Sequence, residues 1–205
     1  LDAALLIFLR FYLKAVHRVR YEGLEHLRAA ERAVAEGRPL IVVANHTAGI
    51  DPLLVQTPTW SFEIRWMMAA DMRIRLLEPF WNWARIIDVE RYAGDARSAR
   101  VALRHLAGGA PSNGSVLGIF PEGGIERPEN QLLPFLPGVG LLIKRSKALV
   151  LPALIDGTPR VDPAFAALWH TSTSRVRFGE PIDYDQTDLK PAEILDDLQQ
   201  RYLDW

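Results

Sequence analysis

The sequence predicts an α/β fold: a mostly parallel central sheet flanked by helices. Three observations carry that expectation. Short β-branched apolar runs alternate with helical segments along the chain, the order that builds parallel sheets. Two of those runs, Leu40–Ala44 and Val116–Phe120, are apolar almost throughout rather than at every second residue, which fits strands buried on both faces. And 205 residues with 49% hydrophobic side chains suffice for a sizeable core and exclude wholesale disorder.

The N-terminal stretch reads as a helix because Leu5, Phe8, Leu9, Tyr12, Val16 and Val19 recur at helical spacing. Arg10, Lys14, His17 and Arg18 fall on a different face. That pattern suits a helix packed on the domain with a solvated basic face. It also suits a helix lying in a membrane interface. The chain is therefore divided into 1–20, an amphipathic helical segment, and 21–205, one α/β domain. A helix over Leu27–Ala35 ends at Gly37, and Pro39 introduces the strand Leu40–Ala44. Ile64–Met68 and Arg85–Val89 read as strands, with a helix over Ile74–Trp83 between them. Asp95 reads as the N-cap of a helix reaching about Leu106. Ser115–Phe120 is a further buried strand, and Pro121–Pro137 a long loop rich in Pro, Gly and Glu. Val139–Lys147 reads as a helix. Leu149–Ile155 reads as a strand that Pro152 places at a start, edge or bulge. Arg175–Phe178 is the last strand and Pro191–Leu203 the last helix.

Composition narrows the chemistry. Basic and acidic residues number 24 and 25, for a formal net charge of −1, so overall charge gives no footprint for nucleic acid. There are no cysteines, which excludes disulfide scaffolds, thiolate metal sites and cysteine nucleophiles. The five histidines show no metal-ligand spacing, and no metal or cofactor is expected. Phosphate-loop, dinucleotide and G-x-S-x-G patterns are absent. No uncharged apolar stretch reaches the roughly 20 residues of a membrane-spanning helix.

Two stretches remain, each at the end of an apolar strand, where ligands bind in open α/β sheets. The first is Asn45-His46-Thr47-Ala48-Gly49-Ile50-Asp51-Pro52. Asp51 before Pro52 reads as a helix N-cap followed by proline at the first helical position. The pair also has a chemical reading. A neutral His46 can take a proton from an attacking hydroxyl, and Asp51 on its other ring nitrogen fixes the tautomer. The second stretch is Phe120-Pro121-Glu122-Gly123-Gly124, in which Glu122 can accept from donors near the site. Arg91, after the strand at Ile87–Val89, is a candidate for holding an anionic head group.

Together these blocks resemble the glycerolipid acyltransferases typified by bacterial 1-acylglycerol-3-phosphate acyltransferase. The resemblance rests on Asn45-His46…Asp51, on Ile86-Ile87-Asp88-Val89-Glu90-Arg91, on Phe120-Pro121-Glu122-Gly123 and on Val150-Leu151-Pro152, in that order. Tyr21–Glu25 and Phe135-Leu136-Pro137-Gly138 add to it, so it spans about Tyr21 to Thr158. It implies an O-acyltransferase with His46 as general base and Asp51 as its partner. The donor would be acyl-CoA or acyl-carrier protein, and the acceptor a lysophospholipid, 1-acylglycerol-3-phosphate first. Asn45, Arg91, Phe120, Pro121, Glu122, Gly123, Gly138 and Pro152 would bind or shape the substrate site.

The resemblance also implies peripheral attachment to the cytoplasmic face of a membrane, with residues 1–20 as the contact; Trp60, Trp66, Trp81 and Trp83 could add anchoring, although burial is the default expectation for tryptophan. Two departures bear on the acceptor. The family continues its F-P-E-G block with Thr-Arg-Ser, where this chain has Gly124-Ile125-Glu126. It also tends to place a lysine where Leu136 stands. Both remove positive charge, which leaves a different lipid hydroxyl, such as that of a lyso-aminolipid, as the alternative acceptor. A lipid-binding protein of this fold without catalysis is the alternative outside enzymes.

Overall fold

In the computed structural model, residues 3–70, 86–89, 96–108, 115–125 and 131–205 are described. The elements run α1 (Ala3–Val16), β1 (Arg20–Glu22), α2 (Leu24–Ala35), β2 (Leu40–Ala44), α3 (Asp51–Gln56), β3 (Arg65–Ala69), β4 (Ile87–Val89), α4 (Ala96–Ala107), β5 (Val116–Ile119), α5 (Pro137–Ser146), β6 (Leu149–Asp156), β7 (Arg175–Phe178) and α6 (Pro191–Leu203). Short 3₁₀ helices cover Ala164–Trp169 and Tyr184–Gln186.

The sheet has seven strands in the order β1-β7-β6-β2-β5-β3-β4. Every pairing is parallel except β6 with β7. β2 is the central strand, buried along its whole length, and it lies between β5 and β6. One core fills the face where Leu40, Val42 and Ala44 meet α1, α2 and α3. A second fills the other face, where Ile41 and Val43 meet α4, α5 and α6. Alternate residues of β2 thus feed opposite cores, which is why that strand carries no polar side.

β2 and β6 do not stay hydrogen-bonded to their ends. The Tyr202 hydroxyl, from α6, donates to the Val43 carbonyl at 2.5 Å and accepts from the Ala153 amide at 3.1 Å. Beyond it, the Asn45 side chain donates to the Ile155 carbonyl at 2.9 Å and accepts from the Ile155 amide at 2.6 Å. Two side chains therefore replace the backbone ladder where the strands part, and the chain after β2 is freed to turn outward. Burial pushes the Tyr202 hydroxyl far above its ordinary pKa, so it remains a donor.

Several sequence expectations need correction. Pro152 lies inside β6, a strand with neighbours on both sides, rather than at a start or sheet edge. It is tolerated because the β6–β7 ladder begins one residue later, at Ala153–Phe178. The missing N–H falls between that ladder and the Val150–Ile182 bridge, while the Pro152 carbonyl still accepts from Gly179. α1 is apolar on more than one side. Leu6 and Leu13 are buried, whereas Phe8, expected on the packed stripe, is exposed together with Ile7 and Phe11. His17 is fully buried beyond the end of α1 rather than on a basic surface; burial lowers its pKa, and its Nδ1 lies 2.9 Å from Ser172 Oγ. The expected helix over Ile74–Trp83 and the Asp95 cap lie outside the described residues, as do Trp81 and Trp83. β1 and the 3₁₀ helix Ala164–Trp169 are elements the periodicity did not predict, being too short to show one. Among the described residues no helix is long and apolar enough to cross a membrane.

Candidate active site

The carboxyl ends of β2 and β5 are neighbours in the sheet, and the chain leaving each carries one of the singled-out stretches. After β2, the backbone folds back within five residues so that His46 Nδ1 lies 2.9 Å from Asp51 Oδ2. Asp51 opens α3 and is completely buried. Its carboxylate does not cap that helix by accepting from amides ahead of it. It reaches backward instead, accepting from the Thr47 amide at 2.6 Å and the Ala48 amide at 2.8 Å on Oδ2, and from the Thr47 hydroxyl at 3.1 Å on Oδ1. The N-cap position falls to Ile50, which offers no side-chain bond. Thr158, beyond the end of β6, donates in turn to Thr47 Oγ1 at 2.8 Å. The turn is closed from behind as well. A Cβ on Gly49 would come within 2.5 Å of the Ala164 carbonyl, so the 3₁₀ helix Ala164–Trp169 lies flush against it.

The tautomer of His46 follows from this arrangement. A carboxylate surrounded by donors only accepts, so Nδ1 carries the proton toward Asp51 and Nε2 keeps its lone pair. The side chain of His46 is 18% exposed, against none for Asp51. The base is reachable and its partner is sealed.

Glu122 ties the two strand ends together. One carboxylate oxygen accepts from the His46 amide at 2.9 Å and the other from the Leu133 amide at 2.7 Å. The carboxylate is almost entirely buried. It thereby ties its own loop to backbone donors of two other segments, the histidine loop and the chain leading into α5. The Pro121 carbonyl accepts from the Leu136 amide at 2.8 Å in the same seam. Gly123, in the left-handed region at φ 69°, faces Leu136, whose Cδ1 would lie 2.6 Å from an added Cβ. Only glycine lets Leu136 close over this turn. Gly138 follows in the first turn of α5 with open space where a Cβ would be.

Phe120 stacks on His46, with ring centres 4.0 Å apart and planes 13° from parallel. The Trp66 ring stacks on Phe120 at 4.6 Å with the same small angle.

Of the residues singled out from the sequence, the structure brings together His46, Asp51, Phe120, Pro121, Glu122 and Gly123, with Gly138 close by along α5. Arg91 lies outside the described residues. Asn45 was expected to meet substrate, but both ends of its amide are engaged by the Ile155 backbone. Pro152 was expected to shape the pocket. It lies on the sheet face of Val150 and Leu154, with its ring 3.5 Å from the position of a Cβ on Gly179, away from the face that holds the aromatic stack. The sequence reading missed Thr47, Thr158 and Trp66. Thr47 sits inside the motif itself, so its part in holding Asp51 was open to inference; the other two reach the site only through the tertiary fold. Among the described residues no group of histidines and carboxylates could hold a metal ion.

The family model described as Acyltransferase matches residues 18–156. The solved structure of the 1-acyl-sn-glycerophosphate (LPA) acyltransferase PlsC from Thermotoga maritima is similar over 97% of this chain and 77% of its own, with a TM-score of 0.67 and 21% identity, a likeness of fold. No curated protein matches the chain at a significant level. With the match running from the approach to β1 through the end of β6, and so across both strand ends that carry the site, the chain belongs to the acyltransferase family.

Proposed function

We propose that the protein moves a fatty acyl group from the thioester of acyl-CoA or acyl-carrier protein to the hydroxyl of a lysophospholipid, at a membrane surface. The observation that carries this reading is the His46–Asp51 pair, with its carboxylate buried and its base accessible. His46 Nε2 takes the proton from the acceptor hydroxyl as the oxygen attacks the thioester carbonyl. Asp51 steadies the imidazolium that forms. The tetrahedral intermediate collapses, the C–S bond breaks, and the departing thiolate takes the proton back from His46. The products are an ester and a free thiol, and the enzyme regains its starting protonation without a covalent intermediate.

1-Acylglycerol-3-phosphate is the first acceptor to expect, since the structurally similar Thermotoga maritima protein is named for it. One observation favours a second acceptor. Leu136, an apolar and half-exposed side chain, lies on Gly123 beside the site. A lysolipid with an uncharged or zwitterionic head fits such a neighbour better than a phosphomonoester does. Membrane contact is supported by Ile7, Phe8 and Phe11 on α1, whose charged residues Arg10 and Lys14 are both basic.

The test is free-thiol release from palmitoyl-CoA with lysophosphatidic acid, with uncharged and zwitterionic lysolipids, and with no acceptor. Release that requires lysophosphatidic acid and disappears in His46→Ala is the expected result. Release with another lysolipid moves the acceptor and keeps the mechanism. Release without any acceptor marks a hydrolase. A His46→Ala variant that turns over normally removes the proposed base.

A further inference from the structure

One hydrogen bond holds the His46 ring, from Nδ1 to Asp51. A single bond leaves a planar ring free to swing about its own axis, and that swing would carry Nε2 away from the acceptor hydroxyl. The swing is stopped by Phe120, parallel to the imidazole at 4.0 Å. Phe120 is itself only half-buried at the end of β5 and has no polar group to anchor it. Its support is Trp66 at 4.6 Å, a β3 side chain with 6% exposure.

Trp66 can lie there for a specific reason. It pairs in register with Gly118 of β5, and Gly118 is two residues before Phe120, on the same face of the sheet. A Cβ at Gly118 would come within 2.5 Å of Trp66 Cε3 and 2.6 Å of Cδ2. The indole therefore lies across a notch that only glycine provides, and from there reaches the ring of Phe120.

We propose that Trp66, seated over Gly118, is a positioning residue for the acyl-transfer step: it holds Phe120 flat against His46 and so fixes the direction of Nε2. This rests on His46 being the general base. Trp66 touches no reacting atom in this scheme. It acts through Phe120, on the rate of the chemical step rather than on substrate affinity. A base displaced by about 1 Å can lose on the order of a hundredfold in rate, and partial loosening of one ring should cost about tenfold.

The experiment measures kcat and KM for palmitoyl-CoA in Trp66→Leu, Trp66→Phe, Gly118→Ala and His46→Ala, with thermal melts of each. Trp66→Leu is expected to lower kcat about tenfold at unchanged KM. Trp66→Phe, which keeps a flat ring, is expected to recover most of that loss. Gly118→Ala, which pushes the indole off its seat, should resemble Trp66→Leu. A folded Trp66→Leu with native kcat overturns the proposal, and so does a raised KM at native kcat, which would make Trp66 a substrate contact. Native turnover in His46→Ala overturns instead the general-base reading beneath it. Should the core variants fail to fold, the unaltered protein decides. Its His46 ring protons, assigned by their loss in His46→Ala, should resonate upfield under the parallel Phe120 ring, and an unshifted resonance overturns the stack.

Discussion

Asp51 accepts hydrogen bonds from two amides, one hydroxyl and one imidazole, and it is sealed from water. Each donor suits an oxygen with no proton of its own. Replacing the carboxylate by a carboxamide puts an N–H₂ group against some of these donors, and it removes the acceptor that selects the His46 tautomer. Asp51→Asn is therefore expected to lower kcat by roughly 10²–10⁴-fold, measured by thiol release at saturating donor and acceptor. A buried donor left facing donors also costs about 1–3 kcal/mol, so the melting temperature should fall with it. A variant within twofold of native kcat would remove Asp51 as the partner that orients and steadies His46. This pair was legible in the sequence because it is local. Four residues separate His46 from Asp51, and one turn closes the distance. Glu122 was legible as a carboxylate near the site but not as a clamp, because its partners are main-chain amides of residues 46 and 133, which look alike in any sequence.

The elements hold the site through side chains that interrupt the sheet. Tyr202 reaches from the last helix into the gap between β2 and β6, 159 residues from the carbonyl it donates to. Removing its hydroxyl leaves the Val43 carbonyl and the Ala153 amide without that partner inside a core. Tyr202→Phe should lose about 1–3 kcal/mol of stability, read from denaturant midpoints at constant slope. Because β2 leads directly to His46, turnover should become more heat-sensitive in the same variant, while its KM at low temperature stays native. An unchanged midpoint would mean water takes over both groups. Most strands and helices were legible because each is a short apolar run or a stretch of about fourteen residues or fewer with a helical period. The corrections share a different cause. Pro152 was read as a start, edge or bulge signal; it is at neither a start nor an edge, but one extra residue on the partner side lies between the Ala153–Phe178 and Val150–Ile182 pairs, an irregularity of the bulge kind. Asn45 was read as a substrate contact, yet the Ile155 backbone, 110 residues away, engages both ends of its amide. Trp66 was read as a buried tryptophan by default and as a possible interfacial anchor; it is buried, over a glycine in the adjacent strand that the sequence could not point to.

At the scale of the molecule, the most exposed aromatic side chains among the described residues lie outside the matched family region. Phe8 and Phe11 stand on α1, the latter 76% exposed, and Phe165 and Trp169 on the 3₁₀ helix, the latter 75% exposed. The two elements are physically joined: the Tyr12 hydroxyl donates to the Leu168 carbonyl, Phe8 stacks with Tyr12, and the Ser172 amide bonds the Val16 carbonyl. Ala164, at the start of that 3₁₀ helix, backs the Gly49 turn of the histidine loop. An apolar surface thus lies next to the element that carries the base. If this surface meets a bilayer, a lysolipid leaving the lipid phase has a short path to His46. Burying one such side chain stabilises by about 1.5–3 kcal/mol, so two together govern partitioning. Phe8→Ser with Phe11→Ser should reduce cosedimentation with vesicles of mixed zwitterionic and anionic lipid by at least about tenfold. Trp169→Ser should reduce it further, since the 3₁₀ helix contributes separately. The rate with a water-soluble short-chain thioester and acceptor should stay native, because none of these residues touches the His46 pair. Equal loss on vesicles and in solution would mean the aromatic side chains support the fold instead. Unchanged sedimentation would remove the bilayer as their partner, and the surface would then answer to chain segments or proteins that cover it.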